Sequence, residues 1–237
     1  MTEYNVTMTR KPTYAALVGA RWLDLPSAVR RRFEDSGVDT DKTPRCGLYA
    51  GRVLETTLSP AGLFLAHLAR LVGGPMPFTA RARGATVVAV TPVANFGPDA
   101  TDAQVWTRSY ARPGSFPQVI QSAKCFAGPT GLEERLGFGL VMRLVTTVEG
   151  PSGSAELVFR SNGYRLRILA LDVALPALLS PGLCEVRHRD EGSGAFTFTL
   201  TIDHPLLGRL LKQVARYHDQ TDLEAPSLEG GLPCPRT

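Results

Sequence analysis

A long region of two-residue periodicity, between residues 78 and 203, constrains the fold more than any other feature of the chain. Apolar and polar side chains alternate there in about eight segments, joined by short turns rich in glycine, proline and aspartate. Such alternation is typical of strands with one buried face. Parallel pairing needs crossovers of about a dozen residues or more, so the sheet is predicted to be mainly antiparallel. The predicted strands are 78–93, 104–112, 117–127, 132–149, 154–162, 164–174, 183–190 and 195–203.

Helices are predicted on both sides of this region. The segment from Ala15 to Gly37 contains one or two short helices, and residues 60–72 form a helix that begins after Ser59 and ends at Gly73. The run "HPLLGRLLKQVARYH" places leucines at helical spacing and predicts a closing helix. The fold class is therefore α+β and β-rich: a strongly curved sheet, either barrel-like or wrapped around a helix (helix-grip). Such a sheet encloses a ligand pocket, with the helix at 60–72 as a candidate lid or plug.

Length and composition indicate one globular domain. The chain has 237 residues, of which 43% are hydrophobic, enough for a substantial core. Residues 12–219 are predicted to form a single ligand-pocket domain. Residues 1–11 are expected to be a flexible arm, and the proline- and glycine-rich residues 220–237 a disordered tail.

Charge and cysteine usage narrow the classes of partner and compartment. The net charge is +4 and the pI about 9.0, but acidic residues are scattered among the basic ones. The basic clusters, such as Arg30 to Arg32, are interpreted as solvated helix faces, and they lack the interleaved aromatic residues that nucleic-acid binding would require. Four widely spaced cysteines indicate free thiols in a cytoplasmic protein. No stretch is long and apolar enough for stable membrane insertion.

Several segments resemble a bacterial family known as domain of unknown function 4166. In chain order they are "YAALVGARWLDLPSAVRRRF", "RLVGGPMPFTARARG", "QVWTRSYARPGSFPQVIQS", "GLEERLGFGLVMRL" and "GAFTFTLTIDHPLLGRLL". The resemblance covers about residues 14–217. The chain departs from it at Phe33, where the resemblance leads us to expect histidine. The family has no general activity, but its members include appendages of reductase-like domains, which implies a place in small-molecule metabolism.

Two adjacent carboxylates, Glu133 and Glu134, stand at the head of the apolar run 132–149. Neighbouring residues of a strand point to opposite faces, so the two cannot serve one site as a pair. Glu134 shares a face with apolar residues such as Met142 and is predicted to point inward, whereas Glu133 is expected on the solvent face. A buried carboxylate must be paired, hydrogen-bonded or protonated. Glu134 is therefore either a structural ion-pair residue or an acid/base or ligand-anchoring group.

Other candidate site residues come from neighbouring segments. Trp106, Arg108 and Tyr110 share one face of a strand, which is either ligand-facing or an outward girdle. If that face is inward, Arg108 is the natural partner of Glu134. His204 ends an inward-facing series and is either a catalytic group at a pocket rim or a cap on the strand end. The predicted ligand-binding residues are Trp106, Tyr110, Phe138, Met142, Phe196 and Phe198, and the predicted catalytic residues are Glu134, Arg108 and His204.

The histidines lack metal-ligand spacing, and the chain has no nucleotide-binding or serine-hydrolase motif, so neither a metal nor a cofactor is predicted. The leading hypothesis is a cofactor-independent enzyme, of cyclase, isomerase or proton-transfer type, that encloses a small apolar molecule. A second hypothesis is a non-catalytic binder or carrier of such a molecule. A third is an accessory protein whose helix at 60–72 docks on an enzyme partner. The expected protein partners are such an enzyme or, in a homodimer, a second copy of the chain.

Overall fold

The computed structural model describes residues 13–34, 46–71, 76–77, 84–94, 96, 100, 102–169 and 171–220. The expected arm at 1–11 lies outside the described residues, as does the expected tail from 221 onward. The α-helices are α1 (Tyr14–Val18), α2 (Ser27–Glu34) and α3 (Pro60–Leu71), with 3-10 turns at Gly19–Asp24 and Ala177–Leu179. The strands are β1 (Gly47–Leu58), β2 (Gly84–Ala94), β3 (Asp102–Tyr110), β4 (Gln118–Cys125), β5 (Glu133–Arg135), β6 (Leu140–Glu149), β7 (Glu156–Ile168), β8 (Leu171–Leu175), β9 (Leu183–Gly192), β10 (Ala195–His204) and β11 (Gly208–Asp219).

The described strands form one antiparallel sheet that closes into a barrel. Ten of them make a ring in the order β1-β2-β3-β4-β5-β6-β7-β9-β10-β11, which closes where β11 pairs with β1. The remaining strand, β8, continues β9 along the same edge of β7. Antiparallel pairing is as predicted, and the barrel is one of the two predicted shapes, but the expected number of about eight strands is wrong.

Three errors in the prediction account for this difference: two strands were missed, and one predicted strand is two strands in the structure. Residues 47–58 were not predicted as a strand, yet β1 pairs with both β2 and β11. The predicted closing helix is wrong, because residues 208–219 form β11. Its inward side chains are Leu211, Gln213, Ala215 and Tyr217, all buried. The leucines that suggested a helix cluster at the start of this strand, where a register shift between Ile202 and Asp203 buries two successive residues.

The predicted strand 132–149 is divided by a tight turn. Gly137, Phe138 and Gly139 all have positive φ angles, of 92°, 45° and 76°. A Cβ on Gly139 would lie 1.8 Å from the carbonyl oxygen of Arg167, so only glycine fits there. The turn makes β5 and β6 a hairpin in which Glu134 stands opposite Met142.

The helices α1 and α2 close one end of the barrel. The Tyr14 hydroxyl donates to Gln104 of β3 at 3.0 Å, and the Phe33 ring packs against Trp106 and Phe159. Arg32 was interpreted as part of a solvated face, and this is wrong. Its side chain is 5% exposed and makes ion pairs of 2.9 Å with Asp190 and Asp219, which fasten α2 to the ends of β9 and β11.

The helix α3 lies at the opposite end of the barrel. The helix predicted at 60–72 is confirmed over its described residues, which end at Leu71. The Ser59 hydroxyl accepts from the backbone N–H of Gly62 at 3.0 Å and caps its start. A Cβ on Gly62 would lie 2.0 Å from the carbonyl oxygen of Leu210, so the helix packs directly on β11. Ala66 of this helix is fully buried, while its Phe64 and Leu68 are exposed. None of the described helices is long and apolar enough to cross a lipid bilayer.

Candidate functional site

The barrel encloses a cavity of about 380 Å³. Its walls are mostly apolar side chains from β2, β3, β6, β7, β10 and β11, and Phe33 of α2 lies at its floor. Phe138 and Ile168 also line it, and they are 65% and 46% exposed, so the cavity reaches the surface beside the β5–β6 turn and the β7–β8 hairpin. This volume lies within the range of about 300–1,000 Å³ that is typical of small-molecule sites.

Three charged side chains line the described part of this cavity, and they form one cluster. Glu134 is 5% exposed, and its Oε2 lies 2.9 Å from the Nζ of Lys124. Its Oε1 accepts a hydrogen bond of 2.6 Å from the hydroxyl of Ser122 and lies 3.9 Å from an Nη of Arg108. Arg108 in turn donates to the Ser122 oxygen at 3.1 Å. The carboxylate therefore has a partner at both of its oxygens.

The environment of the cluster moves two pKa values. Burial alone would raise the pKa of Glu134, but the positive charges of Lys124 and Arg108 and the hydrogen bond from Ser122 outweigh it, so the pKa lies below its usual value. Burial lowers the pKa of Lys124, and the nearby charge of Arg108 lowers it further, against the attraction of Glu134. The carboxylate is thus held ionised, while the ammonium group is closer to losing its proton than an exposed lysine.

Aromatic rings surround the lysine. The Nζ of Lys124 lies 5.0 Å from the ring centre of Trp106 and 5.6 Å from that of Phe159. Trp106 also has a buried indole N–H that makes no hydrogen bond within the described residues. A cation–π arrangement of this kind stabilises an ammonium group that has lost most of its water.

The strand predicted to carry Trp106, Arg108 and Tyr110 turns these residues inward. All three line the cavity, and the hydroxyl of Tyr110 donates to Gln213 of β11 at 3.2 Å. Phe138, Met142 and Phe198 line the cavity as well. The alternative of an outward aromatic girdle on β3 is therefore wrong.

Two predicted site residues lie away from this cluster. The Nδ1 of His204 accepts from the backbone N–H groups of Leu206 and Leu207, and its Nε2 lies 3.3 Å from the carbonyl oxygen of Leu178. The Nδ1 thus contacts the backbone of the β10–β11 turn and the Nε2 that of the 3-10 turn Ala177–Leu179, and this arrangement corresponds to the strand-end cap. Phe196 is fully buried and stacks on His188 and Tyr217 instead of lining the cavity.

Glu133 was expected on the solvent face, and this is wrong. Strand parity does turn it away from the cavity, but its side chain is only 1% exposed. A Cβ on Gly128 would lie 2.2 Å from the Oε1 of Glu133, so the turn before β5 covers this carboxylate. Its Oε2 lies 3.7 Å from an Nη of Arg167. Glu133 thus points away from the cavity, yet it is buried beneath the turn before β5 and forms an ion pair with Arg167.

Sequence reasoning did not single out Lys124, Ser122 or Gln213. Hairpin pairing could have found the first two, because a turn centred on residues 128–130 places Lys124 opposite Glu134, as observed. Gln213 was hidden by the wrong assignment of its segment to a helix. Its side chain donates to Thr56 and accepts from Tyr110, so it joins three strands beside the cavity.

The fold and the cavity define a class: antiparallel β-barrels whose interior is compatible with ligand binding. A comparison with known families matches residues 25–216 to "Domain of unknown function (DUF4166)". The chain belongs to this family, and the match covers most of its length. Comparisons with curated proteins and with solved structures found no match.

Proposed function

We propose that the barrel binds a small, mostly apolar molecule that carries one anionic or carbonyl oxygen. The observation that carries this proposal is the position of Arg108, Lys124 and Glu134 in a cavity whose other walls are mainly apolar. An apolar chain would fill the cavity, and the oxygen would lie at the cluster. This combination of apolar walls with a few convergent polar groups is typical of small-molecule sites.

The charge of the cluster favours an electronegative oxygen. Two cations and one anion leave a net charge of +1 when Lys124 is protonated, and a bound carboxylate would neutralise it. Arg108 can donate to such an oxygen because its guanidinium has more N–H groups than its bond to Ser122 uses. The indole N–H of Trp106, which has no hydrogen-bond partner among the described residues, offers a further donor. Hydrogen bonds of charged groups to a bound anion are among the stronger ones in proteins.

A binding titration with matched probes tests this proposal. Calorimetry with decanoate and with decanol compares two ligands that share an apolar chain and differ in charge. Arg108→Met is expected to weaken decanoate about ten- to a hundredfold, since a charged hydrogen bond contributes about 1.5–3 kcal/mol. Its effect on decanol is expected to be several-fold at most.

Arg209→Met is the matched control, because Arg209 is a half-exposed arginine on the outer surface that pairs with Asp203. This variant is expected to bind both probes as the parent protein does. If decanoate and decanol bind equally well, or if Arg108→Met leaves decanoate unchanged, the cluster does not recognise the charged end. If neither probe binds, the proposed function is wrong for ligands of this size.

A second candidate function is cofactor-independent proton transfer, of the isomerase or cyclase type. It is favoured by the contact between an ionised carboxylate and a buried amine, because Glu134 could remove a proton beside a carbonyl while Lys124 or Arg108 stabilised the resulting enolate. The test is deuterium exchange at the carbons beside the carbonyl of 2-decanone in heavy water, followed by NMR. Exchange that Glu134→Gln abolishes without loss of binding supports this function, and exchange no faster than in buffer contradicts it.

A further inference from the structure

Lys124 is one of the three charged residues that line the described part of the cavity, and it is far more buried than an ion-paired lysine at the surface. Its side chain is 5% exposed and lines the cavity. The aromatic rings of Trp106 and Phe159 lie beside its Nζ. Arg108 brings a second positive charge to the same cluster. An amine is activated as a nucleophile by burial among apolar groups or by an adjacent cation, and Lys124 has both.

We infer that Lys124 forms an imine with ligands of the aldehyde or ketone class that enter the barrel. The inference rests on the proposed function, since the carbonyl must first occupy the cavity. It names a covalent attachment site and narrows the class of ligand to compounds with a reactive carbonyl at the end of an apolar body.

Glu134 supplies the proton transfers that this reaction needs. Its Oε2 lies 2.9 Å from the lysine Nζ, so the carboxylate can accept a proton from the ammonium group and leave a neutral amine. The Nζ then attacks the carbonyl carbon, a nitrogen–carbon bond forms, and the carbonyl oxygen takes a second proton from the nitrogen. Glu134 returns its proton to the departing hydroxyl group, and water leaves. Amine and carbonyl thus give imine and water, with no oxidant or reductant.

The ion pair also suits the product. A protonated imine keeps the positive charge on the same nitrogen, and Glu134 remains its counter-ion. The lowered pKa of Lys124 supports the first step, because a larger fraction of the amine is neutral near pH 7 than for an exposed lysine. The lowered pKa of Glu134 supports the last step, in which Glu134 returns its proton to the departing hydroxyl group, because the carboxylate is then ionised beside the cationic imine.

Reductive trapping tests the inference. The protein is incubated with decanal and cyanoborohydride near neutral pH, and the modified lysines are identified by mass spectrometry of peptides. The chain has four lysines, Lys11, Lys42, Lys124 and Lys212, so assignment is direct. We expect one decyl group, on Lys124, at a rate about tenfold or more above that at Lys212, a partly exposed lysine paired with Glu55. Excess decanoate is expected to block it.

Two variants serve as controls. Lys212→Met is expected to trap decanal as the parent protein does. Lys124→Arg keeps a positive charge beside Glu134 but has no amine that can form an imine, so the specific adduct should disappear while far-UV circular dichroism stays unchanged. If that variant does not fold, the site is assigned from the peptides of the parent protein and from competition by decanoate.

The possible results separate this inference from the proposed function. Equal labelling of all lysines, or no label on Lys124 in a protein that binds decanoate, overturns the inference and leaves the binding function standing. Failure of decanal to label Lys124 together with failure of decanoate to bind overturns both.

Discussion

Removal of the charge on Glu134 is the perturbation whose cost the structure predicts best. A glutamine side chain at this position would have nearly the same shape, but its amide has one oxygen and one NH2 group where the carboxylate accepts bonds from Ser122 and Lys124. One donor would therefore face another donor, and the buried ammonium group would lose its counter-charge. Breaking a buried ion pair by removing one partner costs about 3–5 kcal/mol. We expect Glu134→Gln to lower the free energy of unfolding by that amount.

The double variant makes this prediction specific. Lys124→Met alone leaves the carboxylate with Ser122 and with Arg108 at 3.9 Å, so its cost should lie at the lower end of the same range. The double variant, Glu134→Gln with Lys124→Met, removes both charges of the pair, so neither is left without its partner. Its loss of unfolding free energy should be smaller than the sum of the two single losses by about 2–3 kcal/mol.

Urea unfolding followed by far-UV circular dichroism measures all four proteins, and this signal does not depend on Trp106 at the site. We expect neither a cost below about 1 kcal/mol for Glu134→Gln nor two single losses that add without coupling. Either result would mean that the two side chains do not form an ion pair in the folded protein.

Further predictions concern acid stability and the turn over β5. Burial and the charge of Arg32 lower the pKa of His188 to about 3. The unfolded chain binds a proton there below about pH 6.5, so stability should fall as the pH drops from about 6.5 towards 3, by up to about 5 kcal/mol from this residue. Urea unfolding of His188→Phe at several pH values should show a weaker dependence, and an equal dependence would contradict the assignment. Gly128→Ala would push a Cβ against the buried side chain of Glu133 and, through this overpacking, should cost about 1–3 kcal/mol more than Gly114→Ala, which has a similar positive φ but open space. Equal thermal shifts of the two alanine variants would show that Glu133 is not confined by that turn.

The sequence predicted the sheet well where one face of a strand is uniformly apolar. In β10 the inward series Phe196, Phe198, Leu200 and Ile202 alternates with threonines, and this strand was predicted to within one residue. In β11 the inward face contains Gln213, whose polarity interrupts the alternation, while the leucines near its start mimic helical spacing. Gln213, which lines the cavity, is thus one reason why the alternating pattern of β11 was not recognised as a strand.

For the candidate site, the sequence could predict on which face of the sheet each side chain lies. Strand parity alone separated Glu133 from Glu134 and placed Trp106, Arg108 and Tyr110 together. Strand parity does not predict how deeply a side chain is buried, however, so it could not show that the turn containing Gly128 buries Glu133. It also could not show that His204, at the end of β10, lies away from the cluster. Those facts depend on the closure of the barrel and on register, which are set by contacts between distant parts of the chain.

A crystal structure of the protein with decanoate tests whether the barrel binds an apolar chain with its charged end at Arg108 and Lys124. We expect the chain of the ligand to fill the barrel and its carboxylate to lie within hydrogen-bonding distance, about 2.7–3.2 Å, of Arg108 or Lys124. Decanoate bound only on the outer surface, or with its carboxylate at the mouth beside Phe138 and its tail towards the charged cluster, would contradict this expectation.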